Sequence, residues 1–128
     1  NQQGWPLTRI LELGKQANGA RFKFDVQGFL DVDSPMIMKY TKGGHYDWHV
    51  DTGNSVCHRK LSFTIQLSDD KDYVGGDVEF IGTKVDTKAF RQKGVCIIYP
   101  SFLPHRVSKV TKGTRHAIVG WIHGPTFR

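Results

Sequence analysis

The chain has 128 residues, of which 38% are hydrophobic and 23% charged. That size allows one buried core rather than two. With no apolar run of membrane-spanning length, the composition is that of a soluble globular domain with no membrane partner. Eighteen basic against twelve acidic residues leave a net charge of +6, which favours anionic partners at long range.

The basic residues are scattered through "RFK", "HRK", "KAFRQK" and "KVTKGTR", so charge alone does not mark a nucleic-acid interface. Cys57 and Cys96 are too few for a disulfide framework or a metal cluster. They read as free thiols in a reducing cytoplasm. The amino end, "NQQGWPLTRILELGK", lacks the basic start and apolar block of a signal peptide, which agrees with a cytoplasmic location.

Pro6 suits the first turn of a helix, and Leu7, Ile10, Leu11 and Gly14 share one face at helical spacing. Asn18 and Gly19 supply a stop. The pattern then changes to strands: "RFKFDV", "SPMIMKY", "LSFTIQLS", "GGDVEFI", "GVCIIYP", "HRVSKV" and "TRHAIVGWI", divided by turn-forming clusters such as "DDKDYVGG", "RQKG" and "TKG". One helix followed by many short strands predicts a mainly β fold, a double sheet of the barrel or jelly-roll kind. There is no repeat, low-complexity tract or linker, so residues 1–128 are expected to form a single domain.

Within "YTKGGHYDWHVDTG", strand alternation would project His49 and Asp51 from one face and turn Trp48 and Val50 to the other. An imidazole and a carboxylate on one face are two legs of a metal site. The four-residue spacing of His45 and His49 also fits a helical zinc signature, but the preceding glycines and Tyr46 in the glutamate position argue against a helix. A third ligand is expected from His58, His105, His116 or His123, with His105 favoured because "YPSFLPHRV" places it after a turn at the opening of a β stretch. Two histidines and one carboxylate on strands would leave open positions on iron(II).

Beyond His105, Arg115 follows by ten residues and Trp121 by six more. From about Pro35 to Trp121 the chain resembles the iron(II)- and 2-oxoglutarate-dependent dioxygenases, and most closely their prolyl-hydroxylase-like branch. The shared order is a tyrosine, HxD, a "GG" strand, a distal histidine and a basic residue. The resemblance implies a double-stranded β-helix (jelly roll) with one N-terminal helix packed outside it. It also implies iron ligation by His49, Asp51 and His105, and a grip on the 5-carboxylate of 2-oxoglutarate by Arg115, whose guanidinium fork matches a carboxylate. Tyr40 and Trp121 would line the co-substrate cavity. In "LSFTIQLS" the face bearing Ser62, Thr64 and Gln66 would meet its polar end. Relatives often place a second tyrosine where Gln66 stands, so Thr64 and Gln66 are both candidates for the second carboxylate contact.

The activity implied is hydroxylation of a C–H bond coupled to decarboxylation of 2-oxoglutarate to succinate and CO2, with O2 as oxidant and ascorbate as an auxiliary reductant. A prolyl residue of a peptide or protein is the substrate class the resemblance favours. The loop from Thr52 to Lys60 and the segment "GTKVDTKAFRQKG" are the local candidates to meet it. Two rivals stand beside this reading. A nucleic-acid oxidative demethylase would suit the positive charge, but that branch commonly carries a second arginine where Trp121 stands. A cupin-like metal- or ligand-binding module would gather more histidines and a glutamate, and would leave Arg115 unexplained.

Overall fold

The computed structural model describes residues 4–22, 24, 26–28, 33–53 and 56–125. Its elements are α1 (Gly4–Ala17), β1 (Met36–Tyr40), β2 (Tyr46–His49), β3 (Arg59–Gln66), β4 (Tyr73–Gly75), β5 (Val78–Phe80), α2 (Thr87–Phe90), β6 (Cys96–Pro100), β7 (His105–Val107), β8 (Val110–Gly113) and β9 (Arg115–His123). Every strand pairing is antiparallel. The strands form a four-stranded sheet ordered β1-β9-β3-β6, a three-stranded sheet ordered β2-β7-β5 and the pair β4-β8. The buried cluster of Tyr40, Tyr73, Val78, Phe80, Ile97, Tyr99, Val107 and Val110 draws on all three sheets, each fully buried side chain of this kind contributing about 1.5–3 kcal/mol. This is the mainly β, double-sheet architecture expected from the alternating segments. Among the described residues no helix is long and apolar enough to cross a membrane.

Helix α1 lies outside the four-stranded sheet, on Ile122 of β9. A Cβ added to Gly14 would sit 2.1 Å from Ile122 Cδ1, so the glycine lets the helix backbone approach the sheet closely. Ile122 points away from the face that carries Arg115 and Trp121, because strand side chains alternate. The helix therefore braces the back of the sheet and leaves its inner face to the cavity.

Several boundaries differ from the sequence expectation. The helical path does not stop at Asn18 but continues as a π-helical turn, Asn18–Phe22. The Asn18 amide then donates to the Phe24 carbonyl and accepts from its N–H, both at 2.6 Å. Those local bonds occupy backbone groups that a ladder would need, and the described residues of the expected strand Arg21–Val26 belong to no strand; Lys23 and Asp25 lie outside the described residues. "HRVSKV" is two strands, not one. Ser108 bonds Asp77 in both directions, N–H to carbonyl and Oγ accepting from the Asp77 N–H, each at 2.9 Å, which turns the chain from the three-stranded sheet into β8. "GTKVDTKAFRQKG" contains the short helix α2, whose N-terminus is capped by Asp86 Oδ1 accepting from Ala89 N–H at 3.1 Å.

Gly75 and Gly76 form a bulge at the entry to β5. The β4–β8 register shifts between Val74 and Gly75, both Gly75 and Gly76 have positive φ, and a Cβ on Gly76 would press on Val110 at 2.9 Å and on Arg115 Cδ at 3.3 Å. Neither Cys57 nor Cys96 is in a disulfide. Burial pushes the Cys96 thiol up to about 11, so it is a protonated, inert sulfhydryl at neutral pH.

Candidate active site

His49 ends β2 and His105 begins β7, and the two are direct cross-strand partners. Their ring centroids are 4.2 Å apart. Between the paired positions Tyr46↔Val107 and His49↔His105, β2 carries one residue more than β7, a bulge that re-aims the side chain that follows it. Asp51 lies two residues beyond β2, in a bend rather than on the strand, which corrects the expectation that one strand presents both groups. Its placement comes from a long-range bond, Asp51 N–H to the Ser101 carbonyl at 2.9 Å. Val50 is 46% exposed at the cavity rim, not packed on an opposite face.

The imidazoles are oriented from behind. His49 Nδ1 is 2.6 Å from the Asp47 carbonyl and His105 Nδ1 is 2.9 Å from the Leu103 carbonyl. Each Nδ1–H donates to its carbonyl, so each Nε2 turns a lone pair to the same point. Asp51 Oδ1 lies 3.3 Å from His49 Nε2 and 3.4 Å from His105 Nε2. Burial holds the His105 imidazolium below its ordinary pKa, with the Asp51 charge opposing only in part. A neutral, buried imidazole is the ligating form. Ligand atoms of the three residues all lie within 4.8 Å of one another, and two imidazole nitrogens with one carboxylate oxygen suit iron(II) with positions to spare.

The other candidate histidines lie apart from the triad. His58 Nδ1 is 3.3 Å from the Gly124 carbonyl and His123 Nε2 is 2.8 Å from Asp33. The backbone N–H of His116 meets Ser68 Oγ at 2.8 Å on the outer side of β9. Among the described residues, only His49, Asp51 and His105 converge in this way.

The triad opens into a cavity of about 290 Å³ whose lining includes Tyr40, Thr64, Arg115 and Trp121. Arg115 is 2% exposed. Its Nε donates to Gln66 Oε1 at 3.2 Å, and its guanidinium carbon lies 5.3 Å from the centre of the Tyr40 ring, its cross-strand partner. Among the described residues no carboxylate pairs with Arg115. A buried cation without an anion costs several kcal/mol, so the geometry invites an anionic ligand. Burial raises the Tyr40 phenol pKa, opposed by the Arg115 charge, leaving it a neutral donor at the same end.

Gln66 does not line the cavity. Its Nε2 donates to Tyr73 Oη at 2.5 Å and reaches the Ser68 carbonyl at 3.5 Å, which turns Oε1 toward Arg115. It braces the guanidinium from behind rather than meeting a ligand. Gln66→Leu is expected to weaken binding of a dicarboxylate at Arg115 about tenfold, the effect of a hydrogen bond to a charged group. Isothermal titration of the variant with 2-oxoglutarate checks it.

Three further groups support the site. Tyr99 reaches the triad, its Oη 3.2 Å from His105 Nε2 and 3.5 Å from Asp51 Oδ2. Ser62 Oγ donates to Asp51 Oδ2 at 2.5 Å. Arg59 lies 3.5 Å over the Trp121 ring and is gripped by Asp33 through bonds of 2.6 and 2.7 Å. A register shift between Arg59 and Leu61 turns it to the cavity side. The strand alternation of "LSFTIQLS" placed Ser62 on the inner face; nothing local in the sequence marks Tyr99 or the Arg59–Asp33 pair, which spans 26 positions.

Residues 35–123 match the family model described as the 2OG-Fe(II) oxygenase superfamily. The chain is 43% identical over 88 residues to a PKHD-type hydroxylase of Synechococcus sp. (strain CC9311), covering 68% of this chain and 40% of that one. It is 35% identical over 99 residues to a PKHD-type hydroxylase of Pseudomonas fluorescens (strain Pf-5), covering 70% and 43%. The chain thus spans about two fifths of the length of these curated relatives. Its fold is similar to that of a Pseudomonas putida prolyl-4-hydroxylase crystal structure, with a TM-score of 0.72 at 20% identity over 93% of this chain and 65% of that one.

Proposed function

The chain belongs to the 2OG-Fe(II) oxygenase superfamily, and on that premise we propose that it is an iron(II)- and 2-oxoglutarate-dependent hydroxylase acting on a prolyl residue of a peptide or protein. The observation that carries the reading is the union, in one cavity, of a His-Asp-His donor set and a buried arginine with no carboxylate partner among the described residues. A dicarboxylic keto acid needs both ends, a metal for one and a guanidinium for the other.

His49, Asp51 and His105 would hold the iron, and Arg115, backed by Gln66, would hold the 5-carboxylate. When bound, the iron supplies the oxidative step in which 2-oxoglutarate and O2 become succinate and CO2 as one oxygen atom enters a substrate C–H bond; ascorbate would serve as auxiliary reductant. The protein's own part is ligation, orientation and exclusion of water. Tyr40 and Thr64 offer hydroxyls along the cavity, while Met38, Val78, Val107 and Val119 form apolar walls that strengthen the charge pairing inside. At the rim Met36, Tyr46 and Val50 are 45%, 47% and 46% exposed. This apolar mouth supports an uncharged target such as a pyrrolidine ring more than a phosphate backbone.

The test is a screen of proline-containing peptides against methylated oligonucleotides, with iron(II), 2-oxoglutarate and O2. The expected result is a one-oxygen mass gain on a peptide, accompanied by succinate and abolished without iron. Oxidation confined to the oligonucleotides would replace the substrate assignment.

A further inference from the structure

The inner face of β3 and the end of β6 place two hydroxyls, those of Ser62 and Tyr99, against Asp51. Ser62 and Tyr99 are cross-strand partners. Ser62 Oγ is 2.5 Å from Asp51 Oδ2 and 3.0 Å from Ser101 Oγ, and Tyr99 Oη is 3.5 Å from the same Oδ2. All of these groups are buried, with Ser62 1% and Ser101 0% exposed. The Ser101 carbonyl meanwhile holds the Asp51 N–H at 2.9 Å. The two carboxylate oxygens are thus divided: Oδ2 accepts from Ser62 and lies beside the Tyr99 hydroxyl, which also reaches His105 Nε2 at 3.2 Å, while Oδ1 faces His49 Nε2 and His105 Nε2, at 3.3 and 3.4 Å.

We propose that Ser62 and Tyr99 are positioning residues that hold Asp51 as a one-oxygen ligand, an inference that rests on the metal site described above. A carboxylate free to rotate could offer both oxygens to a metal. An octahedral ion bound by two imidazoles and one oxygen keeps three positions open, whereas a two-oxygen carboxylate leaves too few for a chelating keto acid together with O2. The hydroxyls therefore act on the site through Asp51, fixing its torsion and occupying the oxygen that must stay away from the ion. Ser62 is the stronger of the pair by distance, and Ser101 supports it from the other side.

The test is affinity for Mn(II) alone, read by the electron paramagnetic resonance signal of the free ion, in wild type, Ser62→Ala, Ser62→Thr and Tyr99→Phe, each checked for folding by circular dichroism. Ser62→Ala is expected to weaken binding roughly 10- to 100-fold, the range for loss of a partner behind a metal ligand. Ser62→Thr, which retains the hydroxyl, should stay close to wild type. Tyr99→Phe should weaken binding roughly two- to tenfold and keeps the proposal testable if Ser62→Ala does not fold. Wild-type affinity in both Ser62→Ala and Tyr99→Phe would overturn the proposal, as would a Ser62→Thr variant as weak as the alanine. A wild type that binds no Mn(II) would overturn the metal site itself, a result distinct from unequal roles among the hydroxyls.

Discussion

Asp51→Ala is expected to abolish tight iron(II) binding and all 2-oxoglutarate turnover while leaving a folded protein. The carboxylate is 7% exposed and, among the described residues, is the one anion that converges with the two histidines, so its removal takes away both a donor atom and the charge that offsets the ion. The loss should exceed the roughly 100-fold upper range seen when only a residue behind the ligand is altered. Against folding, the variant removes one of the two partners of the Ser62 hydroxyl, leaving Ser101 Oγ at 3.0 Å, at a cost of no more than about 1–3 kcal/mol, less than the total stability of an ordinary domain, about 5–15 kcal/mol. Asp51→Asn keeps the shape and the capacity to accept a bond but removes the charge. It should lose metal almost as completely with a smaller change in melting temperature. Metal content after anaerobic loading, measured beside thermal melts, separates the two effects.

Arg115→Met should raise the dissociation constant for 2-oxoglutarate roughly 100-fold, the loss of about 3 kcal/mol of charge-assisted bonding. Arg115→Lys keeps the charge without the planar fork and should fall between the two. The ligand-free proteins carry the sharper expectation. Arg115 is buried with no carboxylate partner among the described residues, and replacing a buried ion by an apolar side chain of similar volume is often neutral or stabilising. Ligand-free Arg115→Met should therefore melt no lower than wild type. Iron-loaded wild type should gain about 2.7 kcal/mol at a 2-oxoglutarate concentration of 100 dissociation constants, and the variant should gain almost none. A thermal-shift series with and without the keto acid reads both outcomes.

The parts of this architecture that are local in sequence were legible in it. The alternation of Leu61, Phe63 and Ile65 with Ser62, Thr64 and Gln66 assigned two faces to β3 before any coordinates, and the inner face carries the hydroxyl on Asp51 and the amide on Arg115. The helical spacing through Ile10 and Gly14 marked the face that meets Ile122. What depended on long-range register was not legible. Asp51 joins the histidines through bonds to Ser62 and Ser101 rather than by continuing β2, and Tyr99 enters the site only because β6 lies beside β3. Arg21–Val26 has the composition of a strand, but the side chain of Asn18 captures the backbone of Phe24, a local side-chain-to-backbone competition that outweighs propensity. Gln66 was expected as a possible ligand contact from its place on the strand; its orientation toward Tyr73 makes it a brace instead.

The central claim is that one cavity binds iron(II) through His49, Asp51 and His105 and 2-oxoglutarate through that iron and Arg115. Its most direct test needs no substrate: anaerobic addition of iron(II) and then 2-oxoglutarate, followed by visible absorption. The account predicts the metal-to-ligand charge-transfer band of a chelated keto acid, saturating with 2-oxoglutarate, absent in Asp51→Ala and displaced to much higher concentrations in Arg115→Met. Folded, iron-loaded wild type that shows no band would contradict it and would favour a module that binds metal without the keto acid.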